Sequence, residues 1–321
     1  MRTLRLLLGL LGLFLAVALV ADQGVGTVLA ATAALGWGIL PIAVFEVVPL
    51  SLKAQGWRRL LPAPRALRAR DLLLARWIRQ SVSQLLPVAQ IGGDLAGARV
   101  LYLRGLQGET AGAATVVDMT LAAGAQMVFT VLGVLMLVEH TGNTGMVIPV
   151  LAATALLAGG IVAFALLQRR GVFGSAAAQL RRVAPDHSLS MERLDAAVRG
   201  TYERPGAVAA DFSWQLLAQI VSTIEILLIA MMLSIPVTAA DAFVLQSLAR
   251  GIRAAAFMVP AGLGVQEGGI LLLAGALALD PAGGLAIALV KRARELLIGL
   301  PALLLWQRME HRGRTAQGTG A

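Results

Sequence analysis

Charged side chains stand inside the long apolar stretches of this sequence, where burial is costly. Six are basic and six are acidic: Arg79, Arg250, Arg253, Lys291, Arg292, Arg294, Glu46, Asp94, Asp118, Glu225, Glu267 and Glu295. Each would cost about 2.5–3.5 kcal/mol at the centre of a membrane-spanning helix. They must therefore face inward, pair or contact water. Two chemistries remain open: Arg and Lys could hold an anionic phosphate, or the opposite charges could form an internal salt-bridge network.

The densest group of charges favours anion binding. Residues 291–295 read Lys-Arg-Ala-Arg-Glu, and three bases beside one acid are hard to neutralise locally. The residues predicted to bind an anionic group are Arg79, Asp94, Arg250, Arg253, Glu267, Lys291, Arg292, Arg294 and Glu295. Asp118 and Glu225 are lone acids in long apolar spans. They could couple transport to protons, or each could pair with an Arg.

Motifs for enzymatic or metal chemistry are absent from the sequence. It has no cysteine, and its three histidines have no metal-like partner at i+3 or i+4. It has no HExxH, GxSxG or Walker motif. We therefore predict no catalytic residue, no metal ion and no organic cofactor. An enzyme acting on lipid headgroups within the membrane would need only Arg, Asp and Glu, and that alternative stays open.

The composition indicates a polytopic membrane protein with an all-α fold. Of 321 residues, 58% are hydrophobic and only 14% are charged, whereas soluble domains carry about 25% charged residues. Several apolar runs approach the ~20 residues needed to cross a bilayer as a helix. The net charge of +9 is typical of basic cytoplasmic loops, so we expect no nucleic-acid partner.

The apolar runs predict about six transmembrane helices and two broken segments. The runs are 1–21, 28–52, 110–138, 146–167, 212–235 and 283–306, and the broken segments are 72–103 and 243–279. If the broken segments are re-entrant, the outside loops contain no Lys or Arg, which satisfies the positive-inside rule. We therefore expect one integral membrane domain, 1–321, in a bacterial inner membrane. Both termini and the loop 168–210 would be cytoplasmic.

The two broken segments resemble each other. In each, a helix with an Arg precedes a proline, a Gly-rich turn follows, and an acid stands seven residues after the proline. The predicted break residues are Pro87, Gly92 and Gly93 in the first segment and Pro260, Gly262, Gly264 and Gly268 in the second. The topology puts the two hairpins on opposite sides, as an inverted repeat. Such repeats are typical of secondary transporters, with the breaks lining a central cavity.

Polar residues recur at helical spacing in four of the predicted helices. They form the stripes Arg76-Arg79-Gln80-Ser83, Gln215-Gln219-Ser222, Gln246-Arg250-Arg253 and Lys291-Arg294-Glu295. Glu225 lies at the edge of the second stripe. The other faces of these helices are Leu, Ala, Val and Ile. This pattern predicts a helical bundle with a polar interior.

The two blocks around Pro87 and Pro260 resemble the lysylphosphatidylglycerol synthase transmembrane family, also described as flippase-like. The resemblance covers roughly 1–310, and within the family the chain is most similar to short members encoded with hopanoid biosynthesis genes. The signature positions that it carries over are Arg79, Pro87, Gly92, Gly93, Asp94, Arg99, Pro260, Gly262, Gly264, Glu267 and Gly268. Larger members add a soluble aminoacyl-transferase domain, which we expect this chain to lack.

The resemblance implies a flippase-type module that moves or handles a charged lipid. Taken with the buried charges, it predicts a lipid translocase whose partners are membrane lipids with anionic or phosphate-bearing headgroups. Two alternatives remain: an enzyme acting on lipid headgroups, and a non-catalytic partner of lipid (hopanoid) biosynthesis enzymes. The lipid, the direction, the coupling ion and the oligomeric state are not predicted.

Overall fold

The fold is all-helical, as the composition predicts. A computed structural model describes residues 36–62, 67–86, 89–141, 159–160, 162–170, 185–255 and 265–318, and these contain no strand. After a 3-10 turn at Gly36–Gly38, the named helices are α1 Ile39–Phe45, α2 Val47–Leu60, α3 Ala69–Leu85, α4 Ala89–Leu103, α5 Gly108–Thr141, α6 Pro185–Tyr202, α7 Pro205–Val221, α8 Thr223–Met232, α9 Ala239–Ala255, α10 Val265–Ala276 and α11 Pro281–Gly318.

Three helical stretches in the described residues are long and apolar enough to cross a membrane. They are Gly36–Leu60, Gly108–His140 and Pro205–Met232, and they overlap the predicted spans 28–52, 110–138 and 212–235. The predicted span 283–306 lies within α11, whose cluster of charges lowers its hydropathy. The span 1–21 and most of 146–167 fall outside the described residues. The number of crossings and their sidedness stay predictions.

Both broken segments are pairs of helices. The first consists of α3 and α4, and the second of α9 and α10. The predicted break residues Pro87, Pro260, Gly262 and Gly264 fall outside the described residues. The predicted breaks were too long, because the helices resume at Ala89 and Val265. Gly92, Gly93, Asp94, Glu267 and Gly268 therefore belong to helices and not to turns.

Gly93 lies where α4 packs against α3, which explains why a glycine stands here within a helix and not in a turn. A Cβ atom at this position would lie 1.9 Å from Ser83 Oγ and 2.5 Å from the carbonyl oxygen of Arg79. Real Cβ atoms do not approach other atoms so closely. The glycine is therefore required where α4 packs directly against the backbone of α3. Glycine at a helix contact is common in membrane proteins, since it lets two backbones come close.

The chain divides into two compact units. The first unit contains the residues up to Val47, then Trp77–Gly93, then Ser222 onward. Within it, α8 packs against α1, α9 and α11, and α10 packs against α9 and α11. A capping box starts α9: the Thr238 backbone N–H and hydroxyl donate to Asp241 Oδ2 at 3.0 and 2.7 Å, and the Asp241 N–H donates back to Thr238 Oγ1 at 3.2 Å.

The second unit contains Val48–Arg76 and Asp94–Val221. Its long helix α5 packs against α6 and α7. The stretch predicted as the loop 168–210 is largely helical where it is described. It contains the end of the helical segment 162–170, then α6, and then the start of α7. The buried residues Asp195 and Val198 lie on α6.

Candidate functional site

Charged and amide side chains of the first unit meet in one buried group, here called the central cluster. It contains Glu46, Gln80, Glu225, Gln246, Arg250, Arg253, Lys291, Arg292, Arg294 and Glu295. The spacing within α9 and α11 directs several of these side chains to one face of each helix. The helices that carry them bury the polar faces predicted from the sequence.

Arg294 on α11 pairs with Glu225 on α8 and with Glu46, which directly follows α1. Its Nε and Nη2 atoms lie 2.9 and 2.7 Å from Glu225 Oε1. Its Nη1 lies 3.2 Å from Glu46 Oε2. Glu46 also accepts a 2.6 Å hydrogen bond from Gln80 Nε2. Arg294 is thus held by two carboxylates, and its side chain is only 3% exposed.

Lys291 lies one helical turn away from Arg294 and contacts side chains of α8 and α9. Its Nζ donates to Gln246 Oε1 and lies 3.6 Å from Glu225 Oε2. Gln246 Nε2 in turn donates to the carbonyl oxygen and the hydroxyl of Ser222, both at 3.0 Å. This amide relay fixes the position of Lys291 beside Glu225.

Glu295 is shared by two arginines. Its Oε2 lies 3.1 Å from Arg292 Nη1, and its Oε1 lies 3.4 Å from Arg253 Nη1. The longer of these contacts belongs to the more accessible arginine, because the Arg253 side chain is 17% exposed and that of Arg292 is 8% exposed. Arg253 stands two residues before the end of α9, next to the second break.

The central cluster carries more positive than negative charge. Among its described side chains, five are basic, namely Arg250, Arg253, Lys291, Arg292 and Arg294, and three are acidic, namely Glu46, Glu225 and Glu295. Arg250 interacts electrostatically with Glu46 and Glu225. Among the described side chains the bases outnumber the acids by two, and a group of Arg and Lys donors of this kind suits an anion with several oxygen acceptors.

A second buried group, here called the triad, lies in the second unit. Arg76 Nη1 donates to Asp118 Oδ2 at 2.7 Å, and Arg76 Nη2 donates to Gln215 Oε1 at 2.9 Å. Gln215 Nε2 closes the ring by donating to Asp118 Oδ1 at 2.6 Å. The Trp57 ring lies 5.6 Å from the Arg76 guanidinium carbon. The triad balances its own charge, unlike the central cluster.

The structure brings together seven of the residues predicted from the sequence to bind the anionic group or to couple protons. They are Arg250, Arg253, Lys291, Arg292, Arg294, Glu295 and Glu225. Arg79 is buried on α3. Asp94 and Asp118 belong to the second unit, and the Glu267 side chain lies outside the described part of the chain. Asp118 pairs with an Arg, which was one of its two predicted roles.

Sequence reasoning did not assign Glu46, Gln80 or Gln246 to the site. Each carried a usable signal, since Glu46 interrupts an apolar run and the two glutamines lie on predicted polar stripes. No group of three or more His, Asp or Glu side chains suited to a metal ion occurs within the described residues.

The comparison with protein families gives one match over nearly the whole chain. The model described as the lysylphosphatidylglycerol synthase TM region matches residues 3–302. Comparison with curated proteins and with solved structures gives no match. The family match does not separate out the hopanoid-associated subgroup.

Proposed function

Because this chain belongs to the lysylphosphatidylglycerol synthase transmembrane family, whose members are membrane lipid-handling proteins, we propose that it moves a phosphate-bearing lipid headgroup across the bilayer. The headgroup binds at the central cluster, while the acyl chains stay in lipid. Arg253, Arg292 and Lys291 supply the charge that replaces water around the phosphate. The apolar outer faces of the helices remain in contact with lipid.

The observation that carries this proposal is the grouping of five basic side chains with three acidic ones among the described residues of the central cluster. A cluster that served only to hold helices together would be expected to balance its charges, as the triad does with Arg76 and Asp118. In the central cluster the basic donors come from two helices, Arg253 on α9 and Arg292 on α11, and both contact Glu295. A phosphate supplies negative charge and several acceptors that a fork of Arg donors can bind.

The position of the central cluster along α11 also supports the proposal. Lys291 lies ten residues after Pro281, where α11 begins, which is about 15 Å along a helix axis. That distance is half of the ~30 Å hydrocarbon core. If α11 starts at one membrane surface, the cluster lies near the bilayer midplane, where transporters of the broken-helix type bind their substrates.

In this proposal the two broken segments form an inverted repeat, and the site is exposed to each side of the inner membrane in turn. Both termini are cytoplasmic. Rocking of one repeat against the other would carry the bound headgroup from one leaflet to the next.

The test is a leaflet assay with purified protein in liposomes. Lipids labelled on an acyl chain keep their headgroup intact, and dithionite destroys only the label in the outer leaflet. The series contains phosphatidate, phosphatidylglycerol, phosphatidylcholine and a neutral glycosyl diacylglycerol, whose sugar headgroup crosses a protein-free bilayer slowly. We expect movement of the anionic phosphate lipids above the protein-free rate and none of the neutral glycolipid. Equal movement of all four lipids, or movement of none, would overturn the proposal.

A further inference from the structure

Glu295 occupies the position in the central cluster at which two cations meet. It contacts Arg292 at 3.1 Å and Arg253 at 3.4 Å. The other two carboxylates of the cluster, those of Glu46 and Glu225, both pair with Arg294. The three acids therefore differ. Glu46 and Glu225 both pair with Arg294, the most deeply buried of these arginines, whereas Glu295 is shared by the more accessible Arg253 and Arg292.

The geometry around Arg294 identifies it as a structural cation. Glu225 and Glu46 take up all three of its guanidinium nitrogens, Nε, Nη1 and Nη2. A ligand would have to break two short ion pairs in order to reach it. Arg253 presents a different case, because its contact with Glu295 is long for a charge-assisted hydrogen bond and its side chain, 17% exposed, is more accessible than those of Lys291, Arg292 and Arg294.

We infer that Glu295 is an internal competitor for the phosphate: the phosphate displaces this carboxylate from Arg253 and Arg292, and the displacement sets the affinity of the site. The inference rests on the proposed function, since it assumes that a phosphate group reaches the central cluster. A carboxylate and a phosphate can each offer two anionic oxygens to a guanidinium. The carboxylate thereby offsets part of the charge of Arg253 and Arg292 between transport events and prevents permanent retention of the anion.

The experiment compares phosphate binding by variants that change the charge of this group in steps. Glu295→Gln raises the surplus by one charge, Arg292→Gln lowers it by one, and the double variant restores it. Binding to the purified protein in detergent is measured by calorimetry and by the rise in Tm. The probes are inorganic phosphate and a short-chain phosphatidate, with short-chain phosphatidylcholine as the zwitterionic control.

We expect Glu295→Gln to bind the phosphate probe about tenfold more tightly than the wild type, or better, because a competing charge is gone. Arg292→Gln should bind about tenfold more weakly, and the double variant should return to within about threefold of the wild type. Binding of both probes, or of the phosphatidate alone, supports the inference. The comparison between them shows whether the acyl chains contribute.

Two results would overturn the inference in distinguishable ways. If the wild type binds the probe and Glu295→Gln binds it equally or more weakly, the competitor role is wrong and the proposed function stands. If no protein binds either probe, including the wild type, both fall. Should Glu295→Gln fail to fold, the Arg292→Gln single variant and the double variant decide the question, because a purely structural ion pair would leave their phosphate affinities equal.

Discussion

Arg294 binds Glu225 through two nitrogens, Nε at 2.9 Å and Nη2 at 2.7 Å from the same carboxylate oxygen. The pair joins the middle of α11 to the first turn of α8, and it is nearly inaccessible to solvent, with side chains 3% and 1% exposed. A fork of this kind fixes orientation as well as distance. It therefore defines how the helices of the first unit are arranged around the central cluster.

Replacement of Arg294 should destabilise the protein strongly. Arg294→Gln leaves Glu46 and Glu225 buried without their common partner, which we expect to lower the free energy of unfolding by about 3–5 kcal/mol. Arg294→Lys should recover only part of the lost stability, because a lysine cannot span both carboxylates. Arg308→Gln on the same helix is the matched control, since Arg308 is exposed. Thermal unfolding in detergent measures the effect, and equal stability of the two Gln variants would contradict the structural role.

The triad should behave as a coupled unit. Asp118→Asn leaves the Arg76 guanidinium without its 2.7 Å carboxylate, and we expect a loss of about 3–5 kcal/mol. The double variant Arg76→Gln/Asp118→Asn should be less destabilised than the sum of the two single variants, by about 0.5–3 kcal/mol. Additive losses would show that the two residues act independently.

Asp118 also remains a candidate for proton coupling, and the same variants test that hypothesis. If Asp118 exchanges a proton during transport, Asp118→Asn should abolish the dependence of lipid movement on a pH gradient. If Asp118 serves only to hold Arg76, the pH dependence should be unchanged in the folded fraction of the variant.

Alanine at Gly93 should disrupt the contact between α3 and α4. The new Cβ would overlap the hydroxyl of Ser83 and the backbone of Arg79, and overpacking of this kind costs about 1–3 kcal/mol or more. Gly200→Ala is the matched control, because nothing lies within 4 Å of the added Cβ and the residue is helical. That variant should gain roughly 0.5–1 kcal/mol from the higher helix propensity of alanine. A Gly93→Ala protein as stable as the control would show that the helices can separate freely.

Tyr202 should titrate at an unusually high pH. Burial raises the pKa of its phenol, while Thr120 and the nearby Arg169 oppose that shift, and the hydroxyl donates to Gln168 Oε1 at 2.7 Å. The folded protein therefore holds the proton more tightly than the unfolded chain. The resulting stability is fully present below the unfolded pKa of about 10 and is lost as the pH rises through the folded value.

Tyrosinate absorbance during a pH titration tests this prediction. Because the sequence has two tyrosines, the variant Tyr102→Phe leaves Tyr202 as the single reporter. We expect its midpoint in the folded protein to lie above that of the same variant in denaturant. Coincident midpoints would contradict the buried environment.

The sequence predicts which faces of the helices are polar, but not which residues pair. Helical spacing places Lys291, Arg294 and Glu295 on one side of α11, and the structure buries all three. Their partners come from other helices, and the separation of 69 residues between Arg294 and Glu225 leaves no local signal. Glu46 was recognised as a costly acid, and its contact with Arg294 follows only from the packing.

The sequence predicts that each broken segment contains two helices, but it places the start of the second helix too late in both. Proline removes a backbone donor, and the helix α3 ends at Leu85, two residues before Pro87. The prediction at Pro260 lies outside the described residues. Glycine is ambiguous, because it serves both in turns and where helices pack closely. Gly93 belongs to the second class, and only the neighbouring atoms of Ser83 distinguish the two.

The most direct test of lipid movement through the central cluster is the rate at which acyl-labelled phosphatidate changes leaflet in liposomes that contain wild-type, Arg253→Gln or Arg308→Gln protein. Both variants remove one arginine, but Arg253 belongs to the central cluster, where it contacts Glu295, and Arg308 is an exposed residue further along α11. The account predicts movement at the wild-type rate for Arg308→Gln and a rate at least tenfold lower for Arg253→Gln, with both proteins folded. Equal rates for the two variants would contradict it.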